Sequence, residues 1–298
     1  MATALKPGAE GGPGGRSLGI RRPGPHRSCA RRAIQYEWRR LSALRSLWLV
    51  AGLITLLGVG NGVDIGLHGG KAGYSLAAVA DTLQFSPLAS QAPMAAFLLF
   101  PLGMSAIGVE YSHRMARTTF LTLSSRRTAY VAKVVVPSVV AAATTLGAAL
   151  LGLVTGCVVL ALRGDALPDL AGLAMPLLSL TVVMLCWPTL AAGLTALTRR
   201  RGAVLAFLLL WPVIVERLAG LALEQVPGLN GVRNYLPFAA ARAALHNLRD
   251  ESGGPDAGFD QALLGSNAHP AIGMTIFCLF TVLVAVGGGL AYIHRDAP

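Results

Sequence analysis

Long uncharged stretches alternate with short cationic stretches along the chain. Five uncharged runs stand out, at residues 46–63, 82–109, 134–162, 170–198 and 271–293, and each contains 18 to 29 residues. A helix needs about 20 apolar residues to cross the roughly 30 Å hydrocarbon core of a bilayer, so each run is a candidate transmembrane helix. A sixth run begins at Gly202 and spans only if Glu216 and Arg217 are tolerated near its outer end. We include it because omitting it would place the basic loops on opposite sides of the membrane.

The pattern therefore predicts an all-α integral membrane protein with six transmembrane helices and an N-terminal cytoplasmic amphipathic interface helix. The predicted spans cover about residues 46–65, 88–109, 134–160, 171–197, 203–223 and 271–293, and the interface helix covers residues 29–46. Residues 1–28 are rich in Gly, Pro and Arg with almost no large apolar side chains, which predicts a disordered cytoplasmic tail. The body of six spans is thus expected within residues 29–298.

The predicted interface helix carries one apolar stripe. Its members recur at steps of three or four residues: Ile34, Trp38, Leu41, Leu44 and Trp48. Arginines crowd the other faces of the helix. Such a helix is expected to lie along the cytoplasmic membrane interface, with tryptophan at the level of the lipid headgroups. Two interpretations stay open from the sequence, a passive membrane anchor and a platform for a partner protein.

Composition supports a membrane location. The chain is 54% hydrophobic and 13% charged, whereas an ordinary soluble domain is about 25% charged. With six spans, 19 of the 25 Lys and Arg residues fall on one side. The positive-inside rule then places both termini in the cytoplasm of a multi-pass plasma-membrane protein. The net charge of +11 is accordingly a topology signal that also favours anionic membrane lipids, and without a recognisable module we expect no nucleic-acid binding.

The sequence offers no catalytic chemistry of its own. It contains no HExxH or GxSxG motif, and Gly70-Lys71 lacks the flanking residues of a phosphate-binding P-loop. The histidines map to tails, loops or span ends, so neither a metal site nor a cofactor site is expected. Polar groups at depth are few, chiefly Asn61 and the boundary residues Asp64, Glu216 and Arg217. If the protein moves a substrate, its energy is therefore expected to come from another subunit.

Small residues and prolines mark places where the spans pack or bend. Gly152 and Gly156 form a small-xxx-small pair that permits close helix approach, within the subunit or across a dimer. Five prolines remove backbone hydrogen bonds inside or at the edges of spans, where kinks or flexing points are expected: Pro101, Pro137, Pro176, Pro188 and Pro212.

The most polar internal stretch is EYSHRMARTTFLTLSSRRTAYVAK, residues 110–133, between the second and third predicted spans. Its 24 residues exceed the roughly 2 to 8 of most helix connections in bundles, which predicts helical extensions around a short bend. The positive-inside rule alone explains its charge. However, Glu110 and Tyr111 sit at the membrane exit, and basic residues flank a patch of Ser and Thr. This arrangement suits docking to another protein.

This stretch resembles the second cytoplasmic segment of type-2 ABC exporter permeases. The matching positions are Glu110 and Tyr111, then Arg117, Thr118 and Thr119, then Arg126 or Arg127, then Lys133. The interface helix, with Glu37, Trp38, Leu41, Arg45 and Trp48, resembles the amphipathic helix that precedes the first span in that family. Residues 234–238, which include Tyr235, Leu236, Pro237 and Phe238, resemble its outer Leu-Pro-Phe segment, and residues 294–297 resemble its C-terminal end. The chain departs from the family at Arg114 and Met115, where many relatives have a Gly-Thr pair.

The resemblance implies a permease subunit of an ATP-driven exporter. Residues 110–133 and the interface helix would contact a separate nucleotide-binding ABC ATPase, and a second permease subunit would complete a homodimer or heterodimer. The segment from Glu216 to the last span would form the outer gate, where Glu216 either faces a translocation path or reaches headgroup water. The apolar interior favours a lipophilic substrate. Two other classes stay open, a membrane sensor that transports nothing and an ion-coupled carrier.

Overall fold

A computed structural model describes residues 25–68, 94–112, 125–167, 171–229, 231–245 and 269–294. Within these residues the chain forms helices and connecting segments, with no strand. In chain order the α-helices are α1 (Pro25–Ser42), α2 (Arg45–His68), α3 (Met94–Ser112), α4 (Arg126–Arg163), α5 (Ala174–Thr198), α6 (Arg201–Leu210), α7 (Glu216–Glu224), α8 (Pro237–Leu245) and α9 (Pro270–His294). Short 3-10 turns at Ala171–Leu173 and Val232–Tyr235 precede α5 and α8.

Four of these helices are long and apolar enough to cross a membrane, namely α2, α4, α5 and α9. The predicted all-α class and the presence of transmembrane helices are therefore supported by length and composition. Two further apolar segments are shorter, Ala95–Val109 in α3 and Arg201–Leu210 in α6. The described part of α3 begins at Met94, within the run predicted to span.

The sixth predicted span is not one regular α-helix. Helix α6 passes into a π-helical turn at Trp211–Val215, and α7 follows at once from Glu216. Pro212 lies in this turn and has no N–H for the helical ladder, which accounts for a change of hydrogen-bonding pattern there. Elsewhere the α-helices continue through the internal prolines Pro101, Pro137 and Pro188.

The core is centred on α5. Trp187 is almost fully buried, and its ring centroid lies 5.5 Å from that of Phe238 in α8 and 6.1 Å from that of Phe277 in α9. Phe100 of α3 completes the cluster at 6.5 Å. These aromatic contacts join four helices around one side chain. Helix α5 is accordingly the most buried of the four long helices.

Helices α2 and α4 pack backbone to backbone through glycine. A Cβ atom on Gly62 would overlap the Gly152 carbonyl, and one on Gly152 would overlap the Gly58 carbonyl. Gly156 faces Gly62 and Ile65 in the same way. The small-xxx-small pair of α4 therefore serves packing within the subunit, one of the two alternatives that the sequence left open.

The helix boundaries place two sets of termini at opposite ends of the bundle. The α1 end holds α1, the C-terminus of α3, the N-terminus of α4 and the C-terminus of α9. The α8 end holds α8, the N-terminus of α9 and the C-termini of α2 and α4. There Arg163 Nη1 of α4 donates to the Gly66 carbonyl of α2 at 3.0 Å. Helix α3 runs on to Ser112 and α4 begins at Arg126, so the predicted helical extensions are present. The intervening bend lies outside the described residues.

Candidate functional site

A buried ion pair joins α1 to the membrane helices. In α1 the residues that face the bundle are spaced by four, Ala33, Glu37 and Leu41, and each is almost fully buried. Glu37 meets Lys133 of α4, whose Nζ lies 2.5 Å from Glu37 Oε1. Both residues are only 1% exposed. Lys133, which the sequence placed at the end of a cytoplasmic loop, therefore lies inside the protein.

Arg40 and the backbone carbonyl of Ala106 complete this arrangement of Glu37 and Lys133. Arg40 Nε lies 3.2 Å from Glu37 Oε2, an ion pair whose angle falls outside hydrogen-bond geometry. Arg40 Nη1 donates to the Ala106 carbonyl of α3 at 3.1 Å, and Lys133 Nζ donates to the same oxygen at 3.4 Å. Both cations thus converge on one backbone carbonyl oxygen in the C-terminal half of α3. We call Glu37, Arg40, Lys133 and the Ala106 carbonyl the charged clamp.

The charged clamp makes the docking of α1 specific. Removing charges from water costs several kcal/mol per ion, which close partners must offset. Arg40 moves with Glu37 because both lie on α1, but sliding α1 along the bundle would separate Glu37 from Lys133 and leave the buried ammonium without its carboxylate. The clamp thus fixes the register of α1 against α3 and α4.

Only part of the predicted apolar stripe of α1 faces away from the bundle. Ile34 is 48% exposed and Trp38 is 50% exposed, whereas Leu41 is fully buried. The stripe is also divided, because α1 ends at Ser42, earlier than the predicted residue 46, and Trp48 belongs to α2. Trp48 Nε1 donates to the Ser42 carbonyl at 2.8 Å across this corner. The predicted single stripe is therefore wrong in two respects: Leu41 points inward, and Trp48 lies on the next helix.

Aromatic and cationic side chains connect the helix termini at the α1 end. The ring centroid of Tyr292 in α9 lies 5.5 Å from that of Tyr130 and 6.5 Å from that of Tyr111. Arg199 has a positive φ of 57° at the C-terminus of α5, and its guanidinium carbon lies 5.2 Å from the centre of the Tyr111 ring. Arg126 Nη1 donates to the Ile293 carbonyl at 3.2 Å and thereby caps α9.

The structure brings together only part of the predicted ATPase-coupling set. Tyr111 and Arg126 lie at the α1 end in the contacts just described, and Arg127 is exposed there. Glu110 lies in the last turn of α3, and its side chain is not among those that the structure describes. Arg117, Thr118 and Thr119 also fall outside the described residues. Arg45 is exposed at the first residue of α2.

Sequence reasoning missed Arg40, Ala106, Arg199 and Tyr292. The i,i+3 spacing of Glu37 and Arg40 was the one available signal for the clamp, and on a helix it is typical of a solvent-exposed pair. Nothing local in the sequence indicates that Lys133 reaches Glu37, because 96 positions separate them. The role of the Ala106 carbonyl depends on backbone geometry, which carries no residue-type signal.

One residue of the predicted outer gate, Glu216, lies in a second buried polar site at the α8 end. Glu216 is 3% exposed, and it accepts hydrogen bonds from the backbone N–H groups of Phe238, at 3.1 Å, and Ala239. Arg242 Nη2 lies 3.7 Å from Glu216 Oε1. Helix N-termini present N–H groups without intrahelical partners and a partial positive charge, so a carboxylate is stabilised there. Glu216 is therefore held inside the protein by its contacts with α8.

The rest of the predicted outer gate divides between surface and core. Tyr235 is exposed, Leu236 and Pro237 are half-buried, and Phe238 is fully buried against Trp187.

Among the described residues no group of three or more His, Cys, Asp or Glu is placed to hold a metal ion. The arrangement at both ends joins helices through buried charges, which suits the transmission of movement between them.

No protein-family model matches this sequence, and no curated protein matches it.

Proposed function

We propose that this chain is the transmembrane permease subunit of an ATP-driven exporter in the plasma membrane. In this proposal it pairs with a second permease subunit and with a separate nucleotide-binding ATPase, and it moves a lipophilic substrate out of the cell. The observation that carries the proposal is the charged clamp, which ties α1 to α3 and α4 through Glu37 and Lys133.

An ATPase that drives a permease must move transmembrane helices although it does not itself enter the membrane. A partner that displaces α1 pulls on α3 and α4, because the clamp makes sliding unfavourable. Two arrangements of the bundle that differ by a few kcal/mol would then be shifted in population by ATP binding to the partner. The clamp supports this because it sits where the partner would dock.

Six spans follow if α3 and the combined α6–α7 segment cross the membrane. The helical run from Arg201 to Glu224 rises about 36 Å at about 1.5 Å per residue, which exceeds the hydrocarbon thickness of roughly 30 Å. With six spans the α1 end is the cytoplasmic one by the positive-inside rule, with both termini inside. The exposed stripe of α1, with Trp38, would then lie in the membrane interface.

The cytoplasmic surface would present cations to the ATPase. Arg31, Arg32 and Arg39 on α1 and Arg127 on α4 are exposed at this end. Complementary charges speed association and fix orientation, so the proposal calls for an acidic groove on the ATPase. At the opposite end, Glu216 and α8 would form the outer gate.

The first test is purification of the tagged chain from its native membrane, followed by identification of any copurified P-loop ATPase. Arg127→Glu should reduce substrate-stimulated ATP hydrolysis and lipophilic-dye efflux about tenfold, which equals about 1.4 kcal/mol of lost coupling. Ala166→Glu introduces a charge at an exposed position just after α4, outside the outer gate and far from the α1 end, and should leave both rates unchanged. A stable chain without an ATPase would favour the sensor, and efflux that collapses with the proton gradient while ATP is intact would favour the ion-coupled carrier.

The second test is topology. Single cysteines at residues 124 and 252 should fall in different compartments, with only the second labelled by an impermeant maleimide from outside intact cells. Labelling of both from one side would contradict six spans and, with them, the proposed function.

A further inference from the structure

Two free thiols face each other between α5 and α9. Cys186 Sγ lies 3.8 Å from Cys278 Sγ, and neither is in a disulfide. The third described free cysteine, Cys157 of α4, has no such contact with either of them. This pair takes no part in the charged clamp or in the outer gate.

The backbones that carry the two thiols are held in a fixed register. Seven residues beyond Cys186, a Cβ atom on Gly193 would meet the Val284 carbonyl oxygen at 2.9 Å. Ala285 lies seven residues beyond Cys278 in α9, and its carbonyl accepts a hydrogen bond from Tyr130 Oη of α4 at 2.6 Å. The helices are therefore parallel and in close contact two turns from the thiols, which keeps the two sulfur atoms close to each other.

The distance between the sulfurs is close to that of a disulfide. An S–S bond is about 2.05 Å long, so each sulfur must move about 0.9 Å from the observed 3.8 Å separation. The two thiols also differ in exposure, because Cys186 is buried and Cys278 is half-buried. Beside Cys278, Leu279 is 58% exposed on a surface that lipid would cover.

We propose that Cys186 and Cys278 form a membrane-embedded dithiol that lipid-soluble hydroperoxides oxidise to a disulfide linking α5 to α9. Cys278 sulfur attacks the terminal oxygen of the hydroperoxide, the O–O bond breaks, and the thiol proton leaves with the alkoxide as an alcohol. Cys186 sulfur then attacks the resulting sulfenic acid, so that an S–S bond forms, the S–O bond breaks and water leaves with the second thiol proton. Two thiols are oxidised and one hydroperoxide is reduced.

The test uses the full chain in phosphatidylcholine vesicles treated with cumene hydroperoxide. The oxidised wild-type protein should lose about 2 Da, for two hydrogens, and should yield one linked peptide that contains both cysteines. Labelling of the denatured chain with a maleimide should find two of its four thiols missing, and dithiothreitol should restore them.

Three variants distinguish this pair from general thiol oxidation. Cys157→Ser should retain the linked product at the wild-type rate, whereas Cys186→Ser and Cys278→Ser should both abolish it. Only Cys186→Ser, which keeps the attacking Cys278 sulfur, should accumulate an oxygen adduct on the remaining thiol. Serine is close to cysteine in size, and circular dichroism of each variant verifies its helix content. The proposal is overturned if wild-type protein gains oxygen adducts without the linked peptide, or if Cys186→Ser still loses 2 Da, about two hydrogens.

Discussion

Replacing Glu37 by Gln tests the charged clamp directly. The substitution keeps the size of the side chain and removes its charge, so the Lys133 ammonium loses a carboxylate that lies 2.5 Å away. Lys133 retains the Ala106 carbonyl at 3.4 Å, a longer and weaker contact. Since Lys133 is 1% exposed, water cannot replace the lost partner while α1 stays docked. We therefore expect α1 to detach from α3 and α4 much more often.

The size of the effect follows from burial. Removal of one partner from a buried ion pair costs about 3 to 5 kcal/mol, and about 1.4 kcal/mol corresponds to a factor of ten. Detachment of α1 should thus be favoured roughly 100-fold or more in Glu37→Gln. Lys133→Met should cost less, because Glu37 keeps Arg40 at 3.2 Å. The double variant Glu37→Met with Lys133→Met removes both charges and should regain most of the loss.

Hydrogen exchange of the α1 backbone amides, measured by mass spectrometry in nanodiscs, reports this detachment. Exchange in α1 should accelerate by about the factor given above in Glu37→Gln while α5 stays protected. Arg39→Gln is the matched control, because it removes a charge from the same helix at an exposed position and should change exchange by less than about threefold. Equal exchange of the α1 amides in Glu37→Gln and Arg39→Gln would refute a stabilising clamp. A double variant as labile as Glu37→Gln would refute the coupling of the two charges.

Two further substitutions test other parts of the structure. Gly62→Ala forces its Cβ against the Gly152 carbonyl and should destabilise the protein by about 1 to 3 kcal/mol. Gly60→Ala places its Cβ in open space and should be neutral or stabilising by up to about 1 kcal/mol. Thermal unfolding in detergent compares the two variants, and equal midpoints would contradict the packing of α2 on α4. Glu216→Ala removes the acceptor of two α8 N–H groups and should cost about 1 to 3 kcal/mol, seen as faster hydrogen exchange at Ala239, while Glu216→Gln keeps an acceptor and should cost less. Unchanged exchange in both Glu216 variants would exclude a capping role.

The helical class and the apolar segments that become α2, α4, α5 and α9 could be predicted from local composition. Membrane thickness sets a minimum length for an apolar run, and this requirement is local, so it can be counted along the chain. The length of the stretch at residues 110–133 likewise predicted that α3 and α4 extend toward each other, as Ser112 and Arg126 show. The resemblance to exporter permeases also came from the sequence, and the proposed function still depends on it for the identity of the motor.

Which helix faces are buried depends on contacts between distant parts of the chain. Periodicity grouped Leu41 with Ile34 and Trp38, but α1 buries Ala33, Glu37 and Leu41 and leaves the other two exposed. A charged side chain becomes an interior residue when its partner arrives from a distant helix, and Lys133 is 96 positions from Glu37. Glu216 is buried for the same reason, because the N–H groups that stabilise it belong to α8. Local pattern records how apolar a segment is, whereas the compensation of a buried charge depends on contacts that only the folded chain brings together.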